Sequence, residues 1–149
     1  MKFGSALKTI NQYSFSGCKN LKIVDGFENT VITNTSWNTF DGCSSLQSIQ
    51  LPESLTAIGS SAFNGCSSLQ SIQLPESLTT IGNSAFNGCT SLQSIIMKST
   101  TPPTLSNTGA IPSTIRAIYV PDASVEVYKA ATNWSSFASK IKGVSEMPA

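Results

Sequence analysis

The sequence contains a direct internal duplication with a period of 23 residues. Residues 43–65 and residues 66–88 differ at only two positions, which are occupied by Ala57 and Ser60 in the first copy. A repeat of about 20–50 residues is one structural unit that cannot bury its apolar side chains alone, so successive units stack and share a core. The chain is therefore expected to fold as a solenoid of short coils.

The repeat pattern extends beyond the duplication in both directions. The segment from Ile115 to Pro121 aligns with the earlier strand segments and predicts a degenerate strand, which brings the number of strand positions to five. The first interval between repeats has two extra residues. Each unit contains the motif Phe-x-Gly-Cys, which is expected to form a turn. The four copies end at Cys18, Cys43, Cys66 and Cys89.

Within each unit, the apolar spacing predicts one short strand and a return segment. Apolar and polar residues alternate from Ser48 to Leu51, as in a half-buried strand. Residues from Leu55 to Phe63 take the chain back behind that strand, and Gly65 permits a tight turn at positive φ. Equivalent strands are then expected to form a parallel sheet with neighbours about 4.8 Å apart.

The N-terminal end is expected to expose apolar surface. Leu7, Ile10 and Phe15 match repeat positions of later coils, so the chain opens in mid-repeat without a polar cap. Either further coils precede this edge, or another chain associates with it.

The C-terminal end predicts a small helical cap. The repeats are assigned to residues 1–121, with a degenerate unit at 98–121, and residues 122–149 to the cap and tail. Asp122 or Ser124 is expected to N-cap a short helix, and residues 143–149 are expected to fray.

The charge composition excludes several classes of partner. Nine Lys plus Arg residues stand against eight Asp plus Glu, charged residues make up only 11% of the chain, and there is no basic run. A phosphate backbone needs such a basic footprint, so nucleic-acid binding is not expected. The longest apolar runs are far shorter than the roughly 18–20 residues that span a bilayer, so neither membrane insertion nor a targeting segment is predicted.

The residues needed for metal binding and catalysis are scarce. The chain has no His, and its four Cys lie 25, 23 and 23 residues apart rather than in close pairs, so no metal or other cofactor is expected. The Cys positions favour a row of small buried thiols over disulfides, although the spacing of stacked coils also permits a bridge. Glu53 and Glu76 are equivalent turn residues, and no acid–base partner accompanies them. The chain is therefore not expected to be an enzyme.

The repeat resembles a known family. Residues 46–66 and 69–89 both read Leu-x-x-Ile-x-Leu-Pro followed by Leu-x-x-Ile-Gly-x-x-Ala-Phe-x-Gly-Cys. This pattern is similar to the BspA-like leucine-rich repeats of bacteria. The ending from Ile118 to Trp134 resembles the cap that follows such repeats. The resemblance implies a leucine-rich repeat solenoid, mostly strand and loop with a curved parallel sheet. It also implies a secreted or surface-anchored bacterial protein, some relatives of which adhere to host or matrix proteins. The segment 26–39 departs from the pattern, with Thr35 at an apolar repeat position and Trp37 ascribed to the two-residue insertion. Trp37 is expected either to face outward on the return side or to pack into the insertion, and packing in the core or at an edge is the favoured interpretation.

The outward face of the sheet is the predicted binding face. Extended solenoid surfaces commonly bind other molecules, and the partner expected here is an extracellular protein or glycan, with Tyr119 supplying an aromatic contact and Ile96 an apolar one. The two central coils present identical outward residues, so a structural spacer with no ligand site is the alternative. The predicted face comprises Asp25, Ser48, Gln50, Ser71, Gln73, Ser94, Ile96 and Tyr119.

Overall fold

The computed structural model describes residues 1–149 and consists mainly of short strands and turns. The only α-helix is α1 (Val125–Ala130), and short 3-10 helices supply the other helical turns. The strands are β1 (Ile23–Val24), β2 (Ser48–Ile49), β3 (Ala57–Ile58), β4 (Ser71–Leu74), β5 (Thr80–Ile81), β6 (Ser94–Met97), β7 (Thr104–Leu105), β8 (Ala117–Val120) and β9 (Ile141–Gly143).

The strands form parallel sheets on two sides of a stack of coils. On the front side, β1 pairs with β2, and β4, β6, β8 and β9 pair in that order. On the return side, the order is β3, β5, β7. The front register joins Ser71 to Ser94 and Ser94 to Ala117, a displacement of one 23-residue repeat each time. The parallel sheet and the solenoid predicted from the repeat are confirmed.

Side chains at equivalent repeat positions fill one continuous core. The stacked rings of Phe15, Phe40, Phe63 and Phe86 are separated by 5.3–5.4 Å between centroids, with interplanar angles of 14°, 10° and 4°. Each ring therefore lies above its counterpart in the next coil. Burial of this apolar row requires neighbouring coils, because a single coil has no second side against which to pack.

The stack has two more strand levels than the sequence predicts. Lys2 forms a parallel bridge with Asp25, and β9 pairs with β8 at the opposite end. Neither segment carries the Leu-x-x-Ile pattern on which the prediction of five levels rests. The front side therefore extends from Lys2 to Lys142.

The C-terminal cap continues the solenoid and also covers its last coil. Tyr128 in α1 and Trp134 in the following 3-10 helix are buried, and their rings contact edge to face at 5.3 Å. The Tyr128 hydroxyl donates to the carbonyl of Ser99 at 2.8 Å, and the Trp134 indole N–H donates to that of Pro103 at 2.8 Å. Because these bonds satisfy both polar groups, the cap buries its aromatics without a desolvation penalty.

Two expectations about the cap are confirmed only in part. Ser124 is the N-cap of α1 but makes no side-chain capping bond, and Asp122 Oδ1 instead accepts from the backbone N–H of Ser145 at 3.1 Å. The segment after Ile141 is not wholly frayed, because β9 is followed by a 3-10 turn, Val144–Glu146, in which Glu146 Oε1 accepts from Gly143 N–H at 3.0 Å. None of the helices is long and apolar enough to cross a membrane.

The departure from the repeat lies earlier than the sequence suggests. The paired residues Ile23 and Ser48 are 25 positions apart in the sequence, whereas the paired residues Asn34 and Ala57 are 23 positions apart. The two extra residues therefore fall between these points, where a 3-10 turn, Phe27–Asn29, interrupts the coil. Thr35 is fully buried, and its hydroxyl accepts from the Gly59 N–H at 3.0 Å. Its hydroxyl thereby satisfies a backbone donor where other coils have Ile.

Trp37 is not packed in the core or at an edge, and this expectation is wrong. It follows the extra residues rather than belonging to them, and it occupies the position of Ser60 in the next coil. Its side chain is 62% exposed.

Candidate ligand-binding face

One row of side chains runs the full length of the front side. These residues occupy equivalent positions in seven levels, and we call them the outward row. Parallel pairing joins Lys2 to Asp25 at one end and Gln73, Ile96, Tyr119 and Lys142 at the other, and the sequence repeat aligns Gln50 with them. The outward row consists of Lys2, Asp25, Gln50, Gln73, Ile96, Tyr119 and Lys142.

The middle of the outward row is exposed and uncharged. Gln50 and Gln73 are exposed, whereas their neighbours Ile49 and Ile72 are buried beneath the sheet. This alternation follows from the pleat, because successive side chains of a strand point to opposite faces. Each Gln presents an amide that both donates and accepts hydrogen bonds to a partner.

The C-terminal end of the outward row is less accessible than expected. Ile96 is half-buried, and Tyr119, predicted to be an aromatic contact, is only 8% exposed. The reason is that β9 lies directly beside β8, with Lys142 in register with Tyr119, and the turn Val144–Glu146 also contacts β8. The expectation that Tyr119 offers its ring to a ligand is therefore wrong.

A second row of small residues runs beside the outward row. Ser48 and Ser71 are exposed and Ser94 is half-buried, whereas Ala117, at the same position in β8, is buried. The accessible part of the predicted face therefore extends from Asp25 to Ile96. It brings together all the predicted site residues except Tyr119.

A groove of about 350 Å³ lies where the front strands end. Gln50 and Gln73 line its base, and Glu28 stands at one end. Glu53 and Lys98 form an ion pair that spans the coil lying between their own two coils. Both charged side chains of that pair are partly exposed, so it contributes little stability. The sequence analysis did not identify Glu28 or Lys98. Glu28 lies in a 3-10 turn, and Lys98 pairs with a residue two coils away. Neither feature can be predicted from the repeat.

The row of thiols is a structural feature of the core. Cys43, Cys66 and Cys89 are fully buried, and their Sγ atoms donate to backbone carbonyls of the preceding coils at 3.1–3.2 Å. All four thiols are free, but Cys18, expected to be buried like the others, is exposed because its coil has no preceding neighbour in this chain.

Burial suppresses ionisation of these thiols. It raises the pKa of Cys43 to about 11, with a further contribution from Cys18. A hydrogen bond with the Cys89 thiol, together with burial, raises the pKa of Cys66 far above its usual range. Because thiolates are the nucleophilic form, these groups are poor nucleophiles at neutral pH. No group of three or more His, Cys, Asp or Glu residues is arranged to hold a metal ion.

Comparisons with known proteins identify the repeat. A family model described as the BspA type leucine-rich repeat region matches residues 1–108 in six copies. A solved leucine-rich repeat protein from T. pallidum is 25% identical, with a TM-score of 0.66 over 82% of this chain and 58% of that one. This chain thus spans well under two thirds of that protein. A leucine-rich repeat protein from Bacteroides ovatus is also 25% identical, covering 81% of this chain and 39% of that one, with a TM-score of 0.47. No curated protein matches the sequence significantly.

Proposed function

The chain belongs to the BspA-type leucine-rich repeat family, and from that premise we propose that it is a non-catalytic module that binds an extracellular protein through its outward row. The family consists of repeat-based interaction and structural modules, typically on the outside of bacterial cells. We place this chain in a secreted or surface-anchored protein for that reason.

The observation that carries the proposal is the exposed middle of the outward row. Asp25, Gln50 and Gln73 are exposed at equivalent positions of successive coils, and Gln50 and Gln73 also line the groove. Because the strands are locked into the stack, the amides are held in fixed positions before a partner arrives. Such preorganisation reduces the ordering cost of binding.

A protein partner fits this surface better than a glycan does. The burial of Tyr119 removes the only aromatic ring of the outward row, and with it the flat apolar surface on which a sugar ring would stack. What remains is a polar surface with a half-exposed Ile96 and charges on Lys2 and Asp25 near one end. Mixed polar and apolar contacts of this kind are typical of transient protein interfaces.

The absence of catalytic use is supported by the chemistry of the side chains. The chain has no His, and the buried thiols of Cys43 and Cys66 are held in their protonated form. Glu53 is engaged with Lys98 rather than with a second carboxyl group. General acid–base catalysis needs a side chain that gives and takes protons at neutral pH, and neither buried thiol does so.

One specific observation favours a structural spacer as the second candidate. Ser48 and Gln50 are repeated as Ser71 and Gln73, so the central surface is a copy rather than a set of individually different contacts. A spacer would need only the stacked core and would place no demand on the outward row.

Binding to a panel of purified extracellular-matrix proteins distinguishes the two candidates. The binding module should retain at least one panel protein, and the double variant Gln50→Glu, Gln73→Glu should lose most of that binding while keeping the circular dichroism and thermal stability of the parent. If the chain binds no panel protein, or if the double variant binds as well as the parent, the proposal fails and the spacer is favoured.

A further inference from the structure

The exposure of Trp37 distinguishes it from the other tryptophan of this protein. The other tryptophan, Trp134, is 1% exposed, whereas Trp37 is 62% exposed. The equivalent positions in the following coils hold the small polar residues Ser60 and Asn83. An exposed indole does not gain the free energy that burial of its ring would release. Packing of the repeat therefore does not explain why Trp stands where the following coils have a small polar residue.

The indole borders an open cleft of about 610 Å³ on the return side of the first two coils. Asn11 and Gln12 come from the first coil, and Asn34, Ser36 and Trp37 come from the second. Every lining residue other than Trp37 is polar and uncharged, and Asn11, Gln12 and Asn34 are exposed. The cleft therefore combines one flat apolar surface with several amide donors and acceptors.

The backbone around the cleft is fixed by hydrogen bonds that the other coils do not make. Ser36 Oγ donates to the carbonyl of Ile10 at 2.7 Å, and Ser36 N–H donates to Asn34 Oδ1 at 2.7 Å. Ser36 has φ of 62°, a conformation that costs free energy for a residue with a side chain, whereas the equivalent Gly59 has no positive φ. The strained turn and its two bonds hold the indole and the amides in one arrangement.

A second exposed aromatic lies beside the cleft. Tyr13 is 58% exposed, and its backbone N–H donates to the carbonyl of Trp37 at 3.1 Å. The two aromatic residues are thus attached to adjacent, hydrogen-bonded segments of the first two coils. Tyr13 thus adds a second exposed aromatic residue next to the cleft, which its chain neighbour Gln12 lines.

We propose that this cleft binds a neutral oligosaccharide, with a sugar ring stacked on the Trp37 indole and its hydroxyl groups hydrogen-bonded to Asn11, Gln12 and Asn34. A pyranose ring has an apolar C–H face and a rim of hydroxyls that both donate and accept, which matches an indole bordered by amides. The cleft has no charged side chain to select a charged ligand and no apolar socket for a peptide side chain. This site lies on the return side and does not depend on the function proposed for the outward row.

Indole N–H signals in a nitrogen-15 correlation spectrum report on this cleft directly, because the chain has only two tryptophans. The probes are neutral hexasaccharides of glucose, N-acetylglucosamine and mannose, and a neutral Gly-Ser peptide is the polypeptide arm. At least one hexasaccharide should shift the Trp37 signal saturably at up to millimolar concentration. The buried Trp134 signal should not move.

Variants identify the residues responsible. Trp37→Ala should weaken the affinity for that sugar about tenfold or more, and Asn11→Ala or Gln12→Ala should weaken it severalfold. Asn83→Ala, at the position of Trp37 two coils away, should leave the affinity unchanged. The Trp134 signal confirms that each variant is folded.

Three outcomes would overturn the inference. The first is that no hexasaccharide shifts the Trp37 signal. The second is that a sugar binds but the folded Trp37→Ala variant retains its full affinity. The third is that the Gly-Ser peptide saturates the site more tightly than any sugar, which would assign the cleft to polypeptides.

Discussion

At the scale of single residues, the stack gives repeat-equivalent side chains equal surroundings except at its ends. Cys43, Cys66 and Cys89 are each enclosed by the neighbouring coils, whereas Cys18 lies on the first complete turn and is exposed. Accessibility and pKa both control the reactivity of a thiol, so identical residues in the sequence differ in chemistry because of their level in the stack.

Native-state alkylation should therefore modify Cys18 alone. We expect mass spectrometry to show a single iodoacetamide adduct on Cys18 in the folded protein, and four adducts after unfolding in denaturant without reductant. An adduct on Cys66 under native conditions would show that the core is not closed as described, and fewer than four after unfolding would reveal a disulfide.

Alkaline pH should destabilise the fold through the buried thiols. In the unfolded chain the Cys43 thiol loses its proton near its ordinary pKa of 9.0, whereas in the folded protein it keeps the proton to about pH 11. The free energy of unfolding is therefore unaffected below pH 9 and falls between pH 9 and pH 11, by roughly 1–3 kcal/mol for one such group. Urea titrations across this range measure the fall.

The matching control is Cys43→Ala, which removes the group but keeps a small apolar side chain. Its free energy of unfolding should fall less steeply over the same pH range. Some slope should remain, because the hydrogen bond with Cys89 and burial raise the pKa of Cys66, and burial raises the pKa of Tyr128. A variant that retains the full slope would show that Cys43 is not the group responsible.

Single residues also show where prediction from the sequence ends. The repeat predicts the burial of Ile72 and the exposure of Gln73, because period and pleat determine both. It does not determine the exposure of Trp37, because the residues at the same position of the following coils, Ser60 and Asn83, are small and polar and do not show how an indole packs there. Tyr119 follows the repeat, yet it is buried because distant residues of the cap cover it.

At the scale of elements, the cap does more than end the repeats. β9 adds a strand to the front sheet, and α1 and the following 3-10 helix cover the return side near Ser99 and Pro103. The sequence predicts the helix from apolar spacing, but not β9, because Ile141, Lys142 and Gly143 are too few to form a recognisable pattern. The boundary at residue 121 remains a prediction, and the pairing of β8 with β9 crosses it.

The buried hydroxyl of Tyr128 tests how the cap is fixed. Tyr128→Phe removes the donor to the Ser99 carbonyl and leaves that acceptor without its partner, so the free energy of unfolding should fall by about 1–3 kcal/mol. Val127→Ala, in the same helix but 55% exposed, should change it by less than about 0.5 kcal/mol. Chemical denaturation measures both, and equal effects would mean that α1 does not dock through Tyr128.

At the scale of the whole molecule, one apolar core leaves two distinct surfaces for function. The front side carries the outward row with its exposed amides, and the return side carries β3, β5 and β7 together with the Trp37 cleft. The chain spans about 58% of the T. pallidum protein to which it is similar.

A matched pair of variants tests whether the outward row, rather than the return side, meets the protein partner. Gln73 in β4 and Thr80 in β5 are exposed strand residues of the same coil on opposite sides. For a protein captured from the matrix panel, Gln73→Arg should weaken the affinity measured by surface plasmon resonance about tenfold, and Thr80→Arg should leave it unchanged. Equal loss in both variants, or loss only in Thr80→Arg, would contradict the assignment of the binding face.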